Sequence, residues 1–463
     1  MGSLAGLLKG RGWEVTGSDE GVYPPMSTAL EGWGIPVQIG FSADHVRGRR
    51  PDLVVIGNAV RPDNVEARAA MDDGLPVLSF PDALYEHAIR GRHSVVVTGT
   101  HGKTTTTSLI ATLLHELGRD PSMLVGGITV NFDGSFREGD GPDFVVEGDE
   151  YDTVFFDKTP KFLHYHPKTL IITSIEFDHA DIYRDLAHIQ EQFRILVSRM
   201  PADGTIIAAG EAKTIDEVLT DAPCPVVRYG VEEGDGSVAD LVALNLETDE
   251  QGCLFDLRDA RRGGDIIARP RLGLVGGHNV ANALAGLLAV EATGASLVEA
   301  AGVLERYRGV KRRQEIRGEA GGVLVIDDFA HHPTAVRATV EALAARYAGR
   351  RIVAVFEPRS NTSRRALFQD EYARAFAGAG HVVVAKVDDA PIYSATGDVK
   401  ERLSAERLAD DLLARGVSAL ACEDVDAIVE HLAGELVPGD VVVTLSNGSF
   451  DGIWDKLLAR LDR

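Results

Sequence analysis

Gly99-Thr100-His101-Gly102-Lys103-Thr104 concentrates more chemistry in six positions than any other stretch of this chain. Glycines let backbone N–H groups wrap an anion, and the N-terminus of a following helix adds its positive end. Lys103 supplies a mobile charge for β- and γ-phosphates, and the Thr104 hydroxyl is a Mg²⁺ ligand type. A strict phosphate loop has four residues between its glycines; here only Thr100 and His101 separate Gly99 from Gly102. The plainer reading is a helix cap after a strand. Two further patterns weigh against it. Phe144-Val145-Val146 runs straight into Glu147-Gly148-Asp149-Glu150-Tyr151-Asp152, and Leu170-Ile171-Ile172 runs toward Glu176-Phe177-Asp178-His179. Acidic turns are usually solvated surface and single histidines usually packed. At strand ends beside a phosphate loop, the same residues stand where open α/β sheets present ligands. Mg²⁺ takes one or two carboxylates with phosphate oxygens and water.

These positions need strands and helices to hold them. Val95-Val96-Val97-Thr98 reads as a buried strand. Thr105–Leu117 reads as a helix with a stripe of Leu109, Ile110, Leu113, Leu114 and Leu117, stopped by Gly118. Strand-like runs alternate with helical patterns almost throughout, which predicts α/β domains with parallel sheets. At the start come a helix at Leu4–Gly10 and strands at Trp13–Thr16, Leu53–Ile56 and Pro76–Leu78. Arg90-Gly91-Arg92 reads as a linker. Short alternating strands, Val238–Leu246, Cys253–Leu257 and Ile266–Ala268, predict an antiparallel meander added to the central block. Gly277–Thr293 reads as a helix with Ala281, Leu284, Ala285, Leu288 and Ala289 on one face. Val323–Ile326, Ile352–Val355, Val382–Val384 and Val441–Val443, with helices between, predict a third α/β unit. The expected division is 1–91, 92–314 and 315–463, the outer two Rossmann-like and the middle one ATPase-like.

At 463 residues the chain exceeds one core, and 44% hydrophobic with 25% charged residues is ordinary for a globular protein. A formal net charge of −23 repels nucleic-acid backbones and anionic lipid, so neither is an expected partner; anionic substrates need local basic pockets. Cys224, Cys253 and Cys422 form no metal or redox spacing, and separate thiols fit a reducing cytoplasm. No apolar run reaches the length of a membrane helix, and the beginning of the chain has no signal-peptide pattern. The expected location is the cytoplasm.

In order along the chain, GTHGKTTT (99–106), EGDEYD (147–152), EFDHADIY (176–183), GGHNVANALA (276–285), RRQEIRG (312–318) and DDFAHHPT (327–334) resemble the successive signatures of the Mur ligase family. The resemblance spans nearly the whole chain. It implies a three-domain α/β fold, ATP and Mg²⁺ as cofactors, UDP-N-acetylmuramate as a substrate and an acyl-phosphate intermediate. By resemblance, Gly99, Thr100, His101, Gly102, Lys103, Thr104 and Thr105 contact ATP, with Lys103 on the β/γ-phosphates. Thr104 and Glu147 hold one Mg²⁺ and His179 a second. His278, Asn279 and Asn282 face adenine, Arg313 reaches the γ-phosphate, and Asp328 holds the ribose. The plainer readings are a helix cap for His278–Asn282 and a strand end for Asp327-Asp328. Some members carry a carbamylated lysine after the histidine; no lysine lies between His179 and Asp203 here, and none is expected.

On the sugar-nucleotide side, Asp19, the turn 23–28 with Ser27 and Thr28, and Asn58 are candidate contacts; a plain surface turn at 23–28 is an equally good reading. The opening strand and glycine-rich turn of such a domain are not seen before Trp13, which leaves either a start upstream of Met1 or a domain lacking its central strand. Residues 155–169 and Glu357-Pro358-Arg359-Ser360-Asn361-Thr362-Ser363 resemble the branch that attaches the peptide L-alanyl-γ-D-glutamyl-meso-diaminopimelate, a recycling reaction. Arg359, Arg364 and Lys158 are candidates to pair with peptide carboxylates, against the ordinary reading of solubilising charges. The Ser446–Phe450 loop has no evident role. Rival readings are an L-alanine-adding ligase of the same family, a phosphate-loop kinase or ATPase, and a non-catalytic nucleotide-binding module, against which the intact Lys103, Glu147 and His179 set argues.

Overall fold

The computed structural model describes all residues except Pro25, Glu211, 232–238, Asp398, Lys400 and Arg463. Pro25 of the predicted 23–28 turn and Val238 of the predicted 238–246 strand therefore lie outside the described residues. The first region opens with a helix, Gly2–Gly10, followed by two separate parallel pairs. β1 (Gly17–Asp19) pairs with β2 (Val37–Ile39), and β3 (Val54–Ile56) with β4 (Val77–Ser79). The expected strand at Trp13–Thr16 is displaced by one element: the chain there is irregular and extends only at Gly17. Leu4, Leu7 and Leu8 of the opening helix are buried, in one apolar cluster with Phe144 and Val146 of the central sheet.

The central sheet has 11 strands. Its core is a parallel run of β6 (Ser122–Thr129), β8 (Asp143–Glu147), β5 (His93–Thr98), β11 (Thr169–Ile172), β12 (Thr205–Ala209), β13 (Val226–Val231) and β14 (Leu241–Asp249), neighbours in that order. β7 (Gly134–Arg137) closes one edge antiparallel to β6. At the other edge β15 (Gly252–Asp259) runs antiparallel to β14, and β16 (Ile266–Ala268) and β17 (Arg271–Leu272) pair with β15. The predicted meander is present as β14-β15-β16, antiparallel neighbour to neighbour, and it joins the parallel run through β14, which pairs in parallel with β13. β9 (Asp152–Val154) and β10 (Asp157–Pro160) form a small antiparallel pair beyond the acidic turn.

Strands buried on both faces need cover on both. One face carries the helices Lys103–Glu116 and Gly277–Ala292, whose Leu109, Leu113, Leu284 and Leu288 share a core with Val95, Val97 and Ile171. The other face carries the helix Leu186–Ser198 and the opening helix. The Gly277–Ala292 helix is apolar nearly all round, not along one stripe, because it is buried from Asn279 through Val290 except at the half-buried Ala281. Gly118 ends the phosphate-loop helix at φ +74°, its N–H donating to the His115 carbonyl.

The C-terminal sheet contains six strands. β18 (Glu315–Ala320) is an antiparallel edge on β19 (Val323–Asp328); β20 (Ile352–Phe356), β21 (His381–Ala385), β22 (Ser418–Cys422) and β23 (Val441–Leu445) complete it in parallel, in the order β18-β19-β23-β20-β21-β22. Sequence periodicity did not predict β18 or β22. Between the two sheets Arg312 (φ +63°) and Gln314 (φ +51°) adopt left-handed backbone on either side of Arg313. Cys224, Cys253 and Cys422 are free. Among the described residues no helix is long and apolar enough to cross a membrane.

Candidate active site

β5 lies between β8 and β11, all parallel, so the turns after Thr98, Glu147 and Ile172 leave the same sheet end side by side. The turn after β5 is the glycine loop. Gly99 (φ +117°) and Gly102 (φ +79°) take left-handed backbone. A Cβ on Gly99 would lie 2.8 Å from Ser174 N, and one on Gly102 would overlap Asn282 Oδ1, so backbone must occupy both spaces bare. The loop is tied to the third strand's turn: Thr100 N donates to Ser174 O at 2.9 Å and His101 N to Ser174 Oγ at 3.0 Å. Thr105 is buried in the first helical turn, and Tyr307 Oη donates to its carbonyl at 3.1 Å.

Lys103 folds back over its own loop. Nζ donates to Gly99 O at 2.6 Å and meets Glu150 Oε2 at 2.7 Å. Burial alone would lower the ammonium's pKa; Glu150 and Asp149 outweigh it and hold it above its ordinary value. Thr104 Oγ1 donates to Glu147 Oε1 at 3.1 Å, and Gly126 N donates to Glu147 Oε2 at 2.7 Å. Burial raises the Glu147 carboxyl above the usual range, with Lys103 and the Gly126 N–H pulling the other way. A hydroxyl and an enclosed carboxylate side by side match the protein share of a Mg²⁺ shell that takes its remaining ligands from phosphates and water. His179, at φ +52°, holds its Nε2 3.9 Å from Glu150 Oε2 and its ring 4.4 Å from the Tyr151 ring. The Tyr183 hydroxyl donates to the Glu150 carbonyl at 2.7 Å and fixes that turn. Glu150 therefore joins Lys103 to His179, a role that one carboxylate among four in EGDEYD does not advertise.

The remaining expected ATP contacts lie around the same cleft. Asn279 Nδ2 donates to Val275 O at 2.8 Å. Asn282 stands against Gly102. Burial pushes the His278 imidazolium down to about 4, reinforced by His101 and Arg313. Arg313 stacks its guanidinium 4.8 Å over Phe329. Both Asp328 oxygens accept backbone N–H groups, from Ala330 and Gln314 at 2.8 Å each; burial raises this carboxyl, opposed by Arg313 and those N–H groups. Asp328 is thereby already engaged in holding the crossing between the two sheets.

Residues 176–180 are where the C-terminal sheet docks. Thr334 Oγ1 donates to Glu176 Oε2 at 2.7 Å, and His331 Nε2 stands 3.9 Å from Asp178 Oδ2. Ala180 N donates to Thr362 Oγ1 at 3.2 Å, while Arg365 and Ala395 N donate to Ala180 O at 2.9 and 3.1 Å. Sequence reasoning singled out 176–183 for His179 but missed its docking role, because its partners lie some 150–215 positions downstream.

Other expected residues fall differently. Arg364 is buried, and its guanidinium holds the carbonyls of Ala390 and Pro391 at 3.0 and 3.1 Å; it braces a loop and offers no free charge to a peptide carboxylate. Arg359 is half exposed, 3.8 Å from Glu357, with its side chain filling the space above Gly448. That contact gives the 446–450 loop a neighbour. Lys158 is exposed on Asp152, whereas Lys161, which the sequence did not single out, is enclosed against Asp149 at 2.7 Å. Asp19 and Asn58 are exposed, at and just beyond the ends of β1 and β3; Ser27 is half-buried and Thr28 exposed. Among the described residues no hydrogen bond or ion pair ties these four to the phosphate-loop cluster.

Family models match the chain in three segments: "Mur ligase family, catalytic domain" over residues 1–92, "Mur ligase middle domain" over 97–290 and "Mur ligase, glutamate ligase domain" over 312–448. The chain is 39% identical over 461 residues to the UDP-N-acetylmuramate–L-alanyl-γ-D-glutamyl-meso-2,6-diaminoheptandioate ligase of Escherichia coli K12, covering 99% of this chain and 95% of that one. It is 33% identical to a UDP-N-acetylmuramate–L-alanine ligase of Caldanaerobacter subterraneus, covering 99% and 95%. Among solved structures it is similar to a murein peptide ligase from Psychrobacter arcticus (TM-score 0.71, 34% identity, covering 100% and 96%). It is also similar to the UDP-N-acetylmuramate–alanine ligase of Thermotoga maritima (TM-score 0.77, 25% identity, covering 99% and 96%).

Proposed function

The chain belongs to the Mur ligase family, and on that premise we propose that it joins L-alanyl-γ-D-glutamyl-meso-diaminopimelate to UDP-N-acetylmuramate. It is an ATP-dependent, amide-bond-forming ligase. The observation that carries the reading is the meeting of Lys103, Glu150 and His179, with Thr104 on Glu147, at three adjacent strand ends. Choice of the tripeptide over L-alanine rests on the greater identity to the tripeptide ligase, 39% against 33%.

The muramoyl carboxylate attacks the γ-phosphorus of ATP, ADP departs, and an acyl phosphate forms. The peptide α-amine then attacks the acyl carbon, the amine loses its proton, and phosphate leaves. Negative charge builds on phosphoryl oxygens in both steps, so positioned cations and N–H groups should dominate the rate. Lys103 supplies a charge at the β/γ-phosphates, the Gly99–Thr105 backbone supplies donors, and Arg313 supplies a second guanidinium charge. Thr104 and Glu147 would hold Mg²⁺, with His179 serving a second ion; the metal's contribution is to neutralise phosphate oxygens. His278, Asn279 and Asn282 are assigned to adenine and Asp328 to the ribose. Asp19, Ser27, Thr28 and Asn58 are assigned to the sugar nucleotide, and Arg359 to the peptide.

Phosphate release from ATP, Mg²⁺ and UDP-N-acetylmuramate tests this directly, comparing tripeptide, L-alanine and no amine. The tripeptide arm should turn over fastest. Equal release without any amine points to a simple ATPase, and a preference for L-alanine points to the other branch. Lys103→Ala should lose at least ~10²-fold in rate, as expected for one electrostatic donor at a phosphoryl group.

A further inference from the structure

Behind the phosphate loop, His101, Glu176 and His332 converge from the two docked sheets, each offering one ligand atom within 4.8 Å of the others. His101 Nε2 lies 3.5 Å from Glu176 Oε2, and His332 Nδ1 lies 3.6 Å from the same oxygen. Both separations are too long for hydrogen bonds, which run to about 3.2 Å for N–H···O. They match the spacing of neighbouring ligands around a tetrahedral ion. Zinc–ligand bonds of about 2.0–2.2 Å put ligand atoms about 3.3–3.6 Å apart. His332 is 6% exposed; its Nδ1 accepts the Thr334 N–H at 3.3 Å as the helix cap, a bond that an ion on Nδ1 would displace, and neither its Nε2 nor His101 Nε2 has a hydrogen-bond partner among the described residues. Buried imidazole nitrogens left this way are costly unless something takes them up.

The electrostatics keep the ligating forms available. Burial pushes His332 down to about 4, so its imidazole is neutral near pH 7. Burial alone would raise Glu176, but His101 and the Thr334 hydroxyl draw it down to about 2 and keep it a carboxylate. Two imidazoles and one carboxylate with an open fourth position suit zinc-class ions; Mg²⁺ prefers oxygen.

We propose that His101, Glu176 and His332 form a zinc-class transition-metal site that exists only while the C-terminal sheet is docked, and that its occupation staples the phosphate loop shut. His101 belongs to the loop and His332 to the C-terminal sheet's first helix cap, so a bound ion spans the joint and holds the loop against nucleotide entry. This site is separate from the Thr104–Glu147 pair; Zn²⁺ binding by the three side chains stands alone, and only its effect on nucleotide entry rests on the reading of Gly99–Thr105 as the ATP loop.

The test is calorimetric titration of the metal-free full chain with Zn²⁺, in parallel with His332→Ala and Glu176→Gln, each first checked for a parent-like melt without metal. The expected result is one Zn²⁺ per parent chain, with affinity at least tenfold weaker in each variant and weaker in the parent when ATP and Mg²⁺ are present, by more than ATP's own chelation of Zn²⁺ accounts for. Hydrogen exchange of 176–180 and 330–334 should slow with Zn²⁺ in the parent and not in His332→Ala. Failure of the parent to bind, equal affinity in parent and variants, or indifference to ATP overturns the proposal. A variant that melts early is replaced by His332→Gln, read the same way.

Discussion

Glu150→Gln isolates the electrostatic demand that Lys103 places on the phosphate loop. The Lys103 and Glu150 side chains are 11% and 3% exposed and 2.7 Å apart, so this is an enclosed ion pair. Removing one partner of such a pair costs about 3–5 kcal/mol, because the other charge stays buried uncompensated. Lys103 keeps the Gly99 and Thr100 carbonyls, which places the expected loss near the lower end, about 3 kcal/mol. At about 2–4 °C per kcal/mol for a domain of this size, the nucleotide-free protein should melt about 6–12 °C lower. A triphosphate brings negative charge back to Lys103, so saturating ATP with Mg²⁺ should recover most of that deficit. Scanning calorimetry of parent and variant, with and without nucleotide, reads both halves. A nucleotide-free variant melting within about 2 °C of the parent would refute the reasoning. So would a deficit that ATP leaves untouched.

Three other perturbations bear on separate parts of the cleft. Gly102→Ala forces a left-handed residue, at roughly 1–2 kcal/mol, and drives a methyl into Asn282 Oδ1; equilibrium dialysis should show ATP affinity at least tenfold lower, and unchanged affinity would show that the loop adapts. His278 has a folded-state pKa of about 4 against an ordinary 6.5, so its penalty is nil above 6.5 and grows as pH falls toward 4, by up to about 1.4 kcal/mol per pH unit. Chemical denaturation from pH 7 to 4.5 should show that slope reduced in His278→Gln, and identical slopes would mean that the imidazole is not shielded from water. Arg365→Met removes charged hydrogen bonds to the carbonyls of Ala180 and Tyr393, worth about 1.5–3 kcal/mol each; amide exchange should accelerate at 178–182 and 393–396 with little change elsewhere, and unaltered exchange would show that Arg365 does not brace the dock.

Local pattern made the central strands, the glycine loop and the adjacency of three strand ends legible, because a strand–turn–helix unit is written within some twenty consecutive residues. The motifs in order also gave the family. Side-chain direction was not legible. Nothing in EGDEYD says that Glu150 pairs with Lys103 while Glu147 takes Thr104, since four carboxylates in a turn differ only once the turn is folded. Arg364 was read as a peptide contact on residue type alone, and the fold uses it on carbonyls. Lys161 was passed over for Lys158, three positions away, for the same reason. The continuation of the parallel sheet through β13 and β14 was hidden because strand direction depends on the connection, not on alternation.

The strip 176–180 carries His179 in its middle and the anchors of the other sheet on both sides. With that sheet swung away, Glu176, Asp178 and Ala180 lose their cross-domain neighbours together, and the imidazole is left on an unsupported bend. Such wiring behaves as a coincidence detector: the floor of the reaction chamber is rigid only when its roof is in place. On the proposed mechanism, an acyl phosphate would form with this floor braced by the other sheet.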